Sequence, residues 1–370
     1  MKISCPKDHL VERLSLVARA ASTRPSLQIA SGILVRAEDP ERPVELAATD
    51  RELALRVPLI ADVLEVGSFV LPSRLGLEVI RSLPSDVVEL SYDAASGMVR
   101  IDSKGGSYQL HALRADDFPA LPEIDHEKVF EVDRASFVET AERVGRAASR
   151  DESRPALTGV LMKFEAGQVT MAATDAYRMA VKELPLSDPI PGDLEAIVPR
   201  RAVEELPRIA AVAAGSKLQV AVTDKIVAFG LDDVWLTARR IEGQFPNFRS
   251  IRPAQFEHQA PTSRSEAAEV VRRVGLFARN AAPIRLSFSP GELRIAARTP
   301  DVGEAVETIP TRFEGEPLEI GFNAEYLRDG IDAVGSEDLV FQLVNPTRPA
   351  LLTNGEDDSF WYLIMPMRLT

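Results

Sequence analysis

Apolar positions along the chain form a pattern that returns three times, with a period of about 120 residues. Leu10, Leu14, Val17, Ala18 and Ala21 stand at i, i+4, i+7, i+8 and i+11, the stripe of an amphipathic helix. Phe137, Ala141, Val144 and Ala148 repeat that stripe, and Ala267, Val271, Val274 and Ala278 repeat it again. Short β-rich runs follow each one: 33–35 and 44–48, then 159–164 and 169–173, then 284–288 and 293–297. In the first two copies these runs lead to the same dipeptide, Thr49-Asp50 and Thr174-Asp175.

A second helical segment follows the runs 69–72, 196–199 and 319–322. Arg74, Glu78 and Arg81 sit at i, i+4 and i+7 in the first copy, and Arg201, Glu205 and Arg208 keep those offsets in the second. In the third, the equivalent positions are Glu325, Asp329 and Asp332. Further strands are predicted at 52–57, 87–92, 98–101 and 107–113, with Ser96-Gly97 and Gly105-Gly106 as turns. Each copy therefore reads helix, strands, helix, strands. Hairpin connections predict antiparallel sheets with two helices on one face, an α+β class. The proline-bearing segments Phe118-Pro119-Ala120-Leu121-Pro122 and Phe245-Pro246-Asn247-Phe248 suit linkers, because proline lacks the N–H a central strand needs. They set expected domains of 1–122, 123–253 and 254–370.

Composition narrows the function classes. With 45% hydrophobic residues, 370 residues are enough for two or three domains with real cores. No stretch nears the roughly 20 apolar residues that span a bilayer, and the N-terminus lacks a signal-peptide apolar run. Cys5 is the only cysteine, which excludes an intrachain disulfide and a cysteine metal site. Both facts fit a cytoplasmic protein with no membrane partner. The net charge of −13 argues naively against nucleic acid, but a sum says nothing about how the signs are distributed. The helical segments carry Arg13 and Arg19, Arg143 and Arg146, and Arg272 and Arg273 on their non-apolar sides. These faces fit a solvated surface with i, i+4 ion pairs, such as Arg74–Glu78 and Arg201–Glu205. They also fit a basic surface that touches phosphates without reading bases.

Catalytic constellations are missing from the sequence. His9, His111, His126 and His258 are scattered without ligand spacing, and no phosphate loop or nucleophile elbow is present. The repetition of Thr49-Asp50 as Thr174-Asp175 among different neighbours favours a turn role over a catalytic carboxylate. Asp116-Asp117 reads as a solvated loop in preference to a metal pair. The expectation is a binding protein, not an enzyme, with no cofactor and no metal.

The segments 362–369, 173–180, 242–248 and 198–201 resemble those of the bacterial DNA polymerase III β subunit family, the DNA sliding clamps. Tyr362-Leu363-Ile364-Met365-Pro366-Met367-Arg368-Leu369 is similar to the family's tail, and Ala173-Thr174-Asp175-Ala176-Tyr177-Arg178-Met179-Ala180 to its Ala-Thr-Asp-x-x-Arg-Leu-Ala segment. Glu242-Gly243-Gln244-Phe245-Pro246-Asn247-Phe248 resembles a family linker, Val198-Pro199-Arg200-Arg201 its Val-Pro-Arg-Lys, and Phe322-Asn323 with Tyr326-Leu327 a helix start. Each motif is short, but their order and spacing run the length of the chain.

The resemblance implies the DNA-clamp fold: three tandem similar domains in a head-to-tail homodimeric ring around duplex DNA, helices inside and sheets outside. It implies that Arg19, Arg24, Arg74, Arg81, Arg146, Arg200, Arg201 and Arg208 face DNA without sequence preference. The acidic third copy would make that lining uneven. It implies a hydrophobic pocket between the second and third domains for motifs of the replicative polymerase, clamp loader, repair polymerases and other partners. Carried over, the pocket wall is Leu157, Thr174, Ala176, Tyr177, Arg178, Met179, Pro246, Ile251, Pro349, Leu363, Ile364, Met365, Pro366, Met367 and Arg368. Ala176, Tyr177 and Ser250 depart from the commonest family residues, which bears on partner preference. The ring joint would bring Tyr108 and Leu110 of one subunit to Leu276 and Phe277 of the other; burial within the domain is the alternative for Leu110. A clamp-fold paralogue, spare or drug-tolerant, or a scaffold with weakened DNA binding, is the alternative function.

Overall fold

A computed structural model describes all residues except 23–28, 85, 166, 189, 191, 280–281, 356–357 and 370. The α+β class holds, with antiparallel sheets and six α-helices among the described residues: α1 (Lys7–Val17), α2 (Ser73–Ser82), α3 (Arg134–Gly145), α4 (Arg200–Val212), α5 (Arg264–Val274) and α6 (Ala324–Ala333). Each copy opens on a strand that the sequence reading missed. Lys2–Pro6, Val129–Asp133 and His258–Ser263 run directly into α1, α3 and α5.

Proline closes several of the strands that lead into helices: Lys2–Pro6, Gly67–Pro72 and Leu194–Pro199. Pro6 and Pro72 are the N-caps of α1 and α2, where a missing N–H costs nothing. α5 and α6 start on side-chain caps instead. Ser263 Oγ accepts from Glu266 N at 3.2 Å, and Asn323 Oδ1 accepts from Glu325 N and Tyr326 N at 2.9 and 3.1 Å. The apolar stripes bury Leu10, Leu14 and Val17, then Phe137, Ala141 and Val144, then Ala267, Val271 and Val274. Their last members lie past the helix ends: Ala18–Ala20 and Gly275–Phe277 tighten into 3₁₀ turns, and Ala21, Ala148 and Ala278 follow.

Two compact units cut across the repeat: Met1–Arg134 with Glu205–Arg240, and Ala135–Glu204 with Ile241–Thr370. The expected cuts at 122 and 253 follow the repeat, whereas the units follow the sheets. In the first unit, Val234–Arg239 pairs antiparallel with Leu53–Leu59, Leu236 opposite Leu55, and this joins strands of two copies into an eight-stranded sheet. A five-stranded sheet ends in Gly106–His111. In the second unit, Phe360–Ile364 pairs with Arg178–Pro185, Tyr362 opposite Ala180, making another eight-stranded sheet. A four-stranded sheet ends in Gly303–Pro310.

The proline segments are packed, not loose. Phe118 and Leu121 lie on Leu34, Ala47 and Val70, which sit side by side across three strands. Phe245 and Phe248 lie in the same way on Leu161, Ala172 and Ile197. Backbone bridges precede both coverings, Val70 with Leu113 and Ile197 with Ile241.

Candidate nucleic-acid and peptide-docking surfaces

The paired Thr-Asp turns are built alike. Asp175 Oδ1 accepts from Tyr177 N and Arg178 N at 2.9 and 3.0 Å, and Thr174 Oγ1 donates to Arg178 O at 2.7 Å. Asp50 accepts from Glu52 N and Leu53 N, and Thr49 donates to Leu53 O. Both turns force one residue to positive φ, Arg51 at 76° and Ala176 at 77°. The turn role expected of these dipeptides is what the backbone shows.

In the second unit this turn presents Tyr177 outward, 64% exposed, while Arg178 turns inward and is 5% exposed. The Arg178 guanidinium donates to Asp175 Oδ2 at 3.0 Å, Asp329 Oδ2 at 2.6 Å and Tyr362 Oη at 3.3 Å, and lies 4.3 Å from the Tyr326 ring centre. Tyr362 donates onward to Tyr326 O at 2.9 Å. Burial disfavours the charge on Arg178, but Tyr362, Asp329 and Asp175 outweigh it and raise its pKa. Burial likewise raises the Tyr362 and Tyr326 hydroxyls. The network ties the turn to α6, so Arg178 forms a base that holds its neighbours in place.

The carried-over pocket residues separate into layers. Met179 and Leu363 belong to a buried apolar cluster with Trp361 and Phe248; Thr174 and Ile364 are also buried. Above them Ala176, Tyr177, Ile251 and Met365 are exposed, and Pro246, Pro349 and Pro366 are half-buried. Met365 N donates to Tyr177 O at 2.8 Å, which sets these two residues side by side just beyond the ends of the paired strands Arg178–Pro185 and Phe360–Ile364. Leu157, Tyr177 and Arg178 share a cleft of about 320 Å³ with Arg150, Arg154, Glu325 and Tyr326. Sequence reasoning left Arg150 and Arg154 out, although the Arg-Pro at 154–155 echoes Arg24-Pro25. Met367 and Arg368 lie elsewhere: they line a different cleft, where Met367 bridges Gly321.

The candidate phosphate-facing arginines are mostly paired with acids. In the first unit Arg19 meets Glu205 through both Nε and Nη2, and Arg208 reaches Glu205 at 3.1 Å. Arg74 pairs with Glu78 at 3.1 Å, and Arg81 donates to Ser15 Oγ at 3.0 Å. Arg24 lies outside the described residues. In the second unit Arg146 reaches Asp332 at 3.4 Å and Arg200 reaches Glu204 at 2.6 Å, while Arg201 is exposed. Arg273 pairs with Glu269 and Glu307 at 3.0 and 2.6 Å, which occupies it at the sheet. Such pairing dilutes a positive face without erasing it, because exposed pairs are weak and screened.

Tyr108 is 41% exposed on the edge strand Gly106–His111, with Leu110 half-buried beside it. Leu276 is 63% exposed, and the Phe277 ring lies against Gly303 at the start of the other edge strand. Val302 and Val306 add exposed apolar surface there. No helix of the described residues is long and apolar enough to cross a membrane, and no group of ligand-type side chains among them could hold a metal ion.

Comparison with known proteins decides the family. Residues 1–122, 131–247 and 249–368 match, in turn, the N-terminal, central and C-terminal domains of the DNA polymerase III beta subunit. The chain belongs to the DNA polymerase III beta subunit family of sliding clamps. A beta sliding clamp of Streptomyces coelicolor is 32% identical over 383 residues, covering all of both chains. The crystal structure of the Bacillus subtilis sliding clamp, 26% identical, superposes with a TM-score of 0.91 over all of both chains. A Pseudomonas aeruginosa clamp bound to griselimycin, 27% identical, superposes at 0.89 with the same coverage. The resemblance expected from the motifs, the α+β clamp fold and the link to DNA replication all hold.

Proposed function

We propose that this sliding clamp closes as a head-to-tail homodimeric ring on duplex DNA and tethers the replicative polymerase, clamp loader and repair enzymes to it. Full-length correspondence with the Bacillus subtilis clamp carries the reading. Relatives that match over the whole chain are themselves named beta sliding clamp, which does not favour the paralogue. No chemistry is required of the protein: tethering raises the local concentration of an enzyme on its template.

The repeat itself supports closure. Leu53–Leu59, Arg178–Pro185 and Gly303–Pro310 are equivalent strands, as are Val234–Arg239, Phe360–Ile364 and Gly106–His111. Two of the three possible junctions are made within the chain. The third set, Gly303–Pro310 and Gly106–His111, ends its sheets without an outer strand neighbour among the described residues. A second copy supplies that neighbour, and Tyr108, Leu110, Leu276 and Phe277 then cover each other. Arg19, Arg24, Arg74, Arg81, Arg146, Arg200, Arg201 and Arg208 attract phosphates, while their acidic partners keep the attraction weak enough to slide.

Ala176, Tyr177, Ile251 and Met365 form the apolar rim that receives partner motifs, over the floor of Met179 and Leu363. Retention on nicked circular DNA after clamp loading, with release on linearisation, tests the ring. Equal loss from circular and linear DNA refutes it. A polymerase-derived peptide, or griselimycin, that bound equally after M365A plus M179A would refute the rim.

A further inference from the structure

The cleft lined by Met367 and Arg368 lies, in the third copy, on the row that an aromatic- and proline-bearing segment covers in the other two. Arg285 stands opposite Gly321 and Ala296 across the four-stranded sheet, as Leu34 stands opposite Val70 and Ala47, and Leu161 opposite Ile197 and Ala172. The bridge from Met367 to Gly321 corresponds to those of Leu113 and Ile241. In copies one and two, an aromatic- and proline-bearing segment lies on that row. In copy three Leu369 lies on Gly321, and the rest of the row opens into a cleft of about 670 Å³ whose chemistry has changed. Arg285 replaces leucine, and Arg294, Arg298 and Arg368 join it around Ala296 and Met367.

Arg285 pairs with Glu319 at 3.0 Å, but Arg294, Arg298 and Arg368 have no ion pair among the described residues. Glu304 also lines the cleft and stands in register with Arg298, yet the two do not pair. Alternation along Glu292–Thr299 turns Leu293, Ile295 and Ala297 into the core, and Arg294 and Arg298 away from it. A protein that is acidic overall thus concentrates unpaired guanidinium forks over a small apolar floor. Such forks match carboxylates two oxygens at a time.

We propose that this cleft binds in trans an extended acidic peptide segment carrying an aromatic and a proline, the counterpart of the segments that fill the equivalent rows in cis. The chain's own Ala-Asp-Asp-Phe-Pro-Ala-Leu-Pro, residues 115–122, has this chemistry and serves as the probe. The proposal does not depend on ring closure or on the rim around Tyr177.

The test is fluorescence anisotropy of that labelled octapeptide with the full chain, at low and moderate salt. Saturable binding should weaken at least about tenfold in R294E/R298E, the scale of losing one charge-assisted contact. It should weaken similarly in the milder R294Q/R298Q, and when both aspartates of the peptide become asparagine. It should be unchanged in Y177A/M365A, with thermal unfolding confirming that each variant is folded. Unchanged affinity in R294E/R298E, loss in Y177A/M365A, or no saturation at millimolar peptide overturns the proposal. So does a ten-nucleotide oligothymidylate that outbinds the peptide and depends on the same arginines.

Discussion

Replacing Arg178 with methionine tests whether the buried network under the exposed Tyr177 turn holds the second unit together. Methionine approximates the stem but removes three hydrogen bonds, to Asp175, Asp329 and Tyr362. What matters more is what remains. Asp175 and Asp329, with side chains 11% and 15% exposed, lose their shared cation while still shielded from water, and Asp329 retains the more distant Arg328 at 3.8 Å. Breaking a buried pair from one side costs about 3–5 kcal/mol, chiefly through the stranded charge. For a unit of this size that corresponds to a midpoint about 6–20 °C lower. The chain has two tryptophans, Trp235 in the first unit and Trp361 in the second. Fluorotryptophan ¹⁹F NMR on heating therefore reads the units separately. R178M should move the Trp361 transition by that amount, and R178M/D329N should recover part of it by removing one stranded carboxylate. A Trp361 shift below about 2 °C would show that the network is not what anchors the turn to α6.

Three other outcomes follow from local geometry. Ala176→Gly should stabilise the second unit by about 1 kcal/mol in urea unfolding, because alanine at φ 77° bears a left-handed penalty that glycine escapes. Cys5, buried in the strand Lys2–Pro6 and pushed up to about 12 by burial and then Asp62, should resist maleimide at pH 8 in folded protein and react once urea unfolds it. Glu337 is held down to about 2 from 4.5 by hydrogen bonds from Ser263 and Ser265. Its folded pKa is depressed, so its contribution is present above pH 4.5 and is lost as pH falls toward 2. The acid-unfolding curve of E337Q should therefore be flatter than wild type across that window, and an identical slope would contradict the assignment.

Periodicity made the helices and most strands legible because one face of each is buried and the other is not. It failed where that contrast is missing. The opening strand Lys2–Pro6 hides in a stretch that also starts an amphipathic helix, and only the proline at its end marks the change. Helix ends were overrun, since alanines at 18, 21, 148 and 278 continue the apolar spacing into tight turns. The candidate rim was legible only through short motifs. Their spacing could not show that Arg178 points inward while Tyr177 points out, because a turn with positive φ decides that. Nor could it separate Met365 from Met367, two residues apart on the tail, which the backbone bonds to Tyr177 and to Gly321 respectively.

The repeat explains where the chain's two chemistries diverge. A scaffold copied three times offers equivalent positions, and substitution at a few of them reassigns a surface without disturbing the core. On the helix side, Arg201, Glu205 and Arg208 become Glu325, Asp329 and Asp332. All three of those acids are engaged, Glu325 with Arg150, Asp329 with Arg178 and Asp332 with Arg146, so the third copy's acids anchor its neighbour. On the opposite side of the sheet, leucine gives way to Arg285, and guanidinium groups gather where the other copies carry an apolar covering. The third copy has thus moved its positive charge from the helix side to the sheet side. A duplex held by the helices should therefore feel the first two copies more strongly than the third. Charge reversal at Arg74 and Arg201 should then lower DNA retention and flatten its salt dependence, whereas reversal at Arg294 and Arg298 should leave both unchanged. Equal effects from the two pairs would mean that the helix and sheet faces do not divide the work in this way.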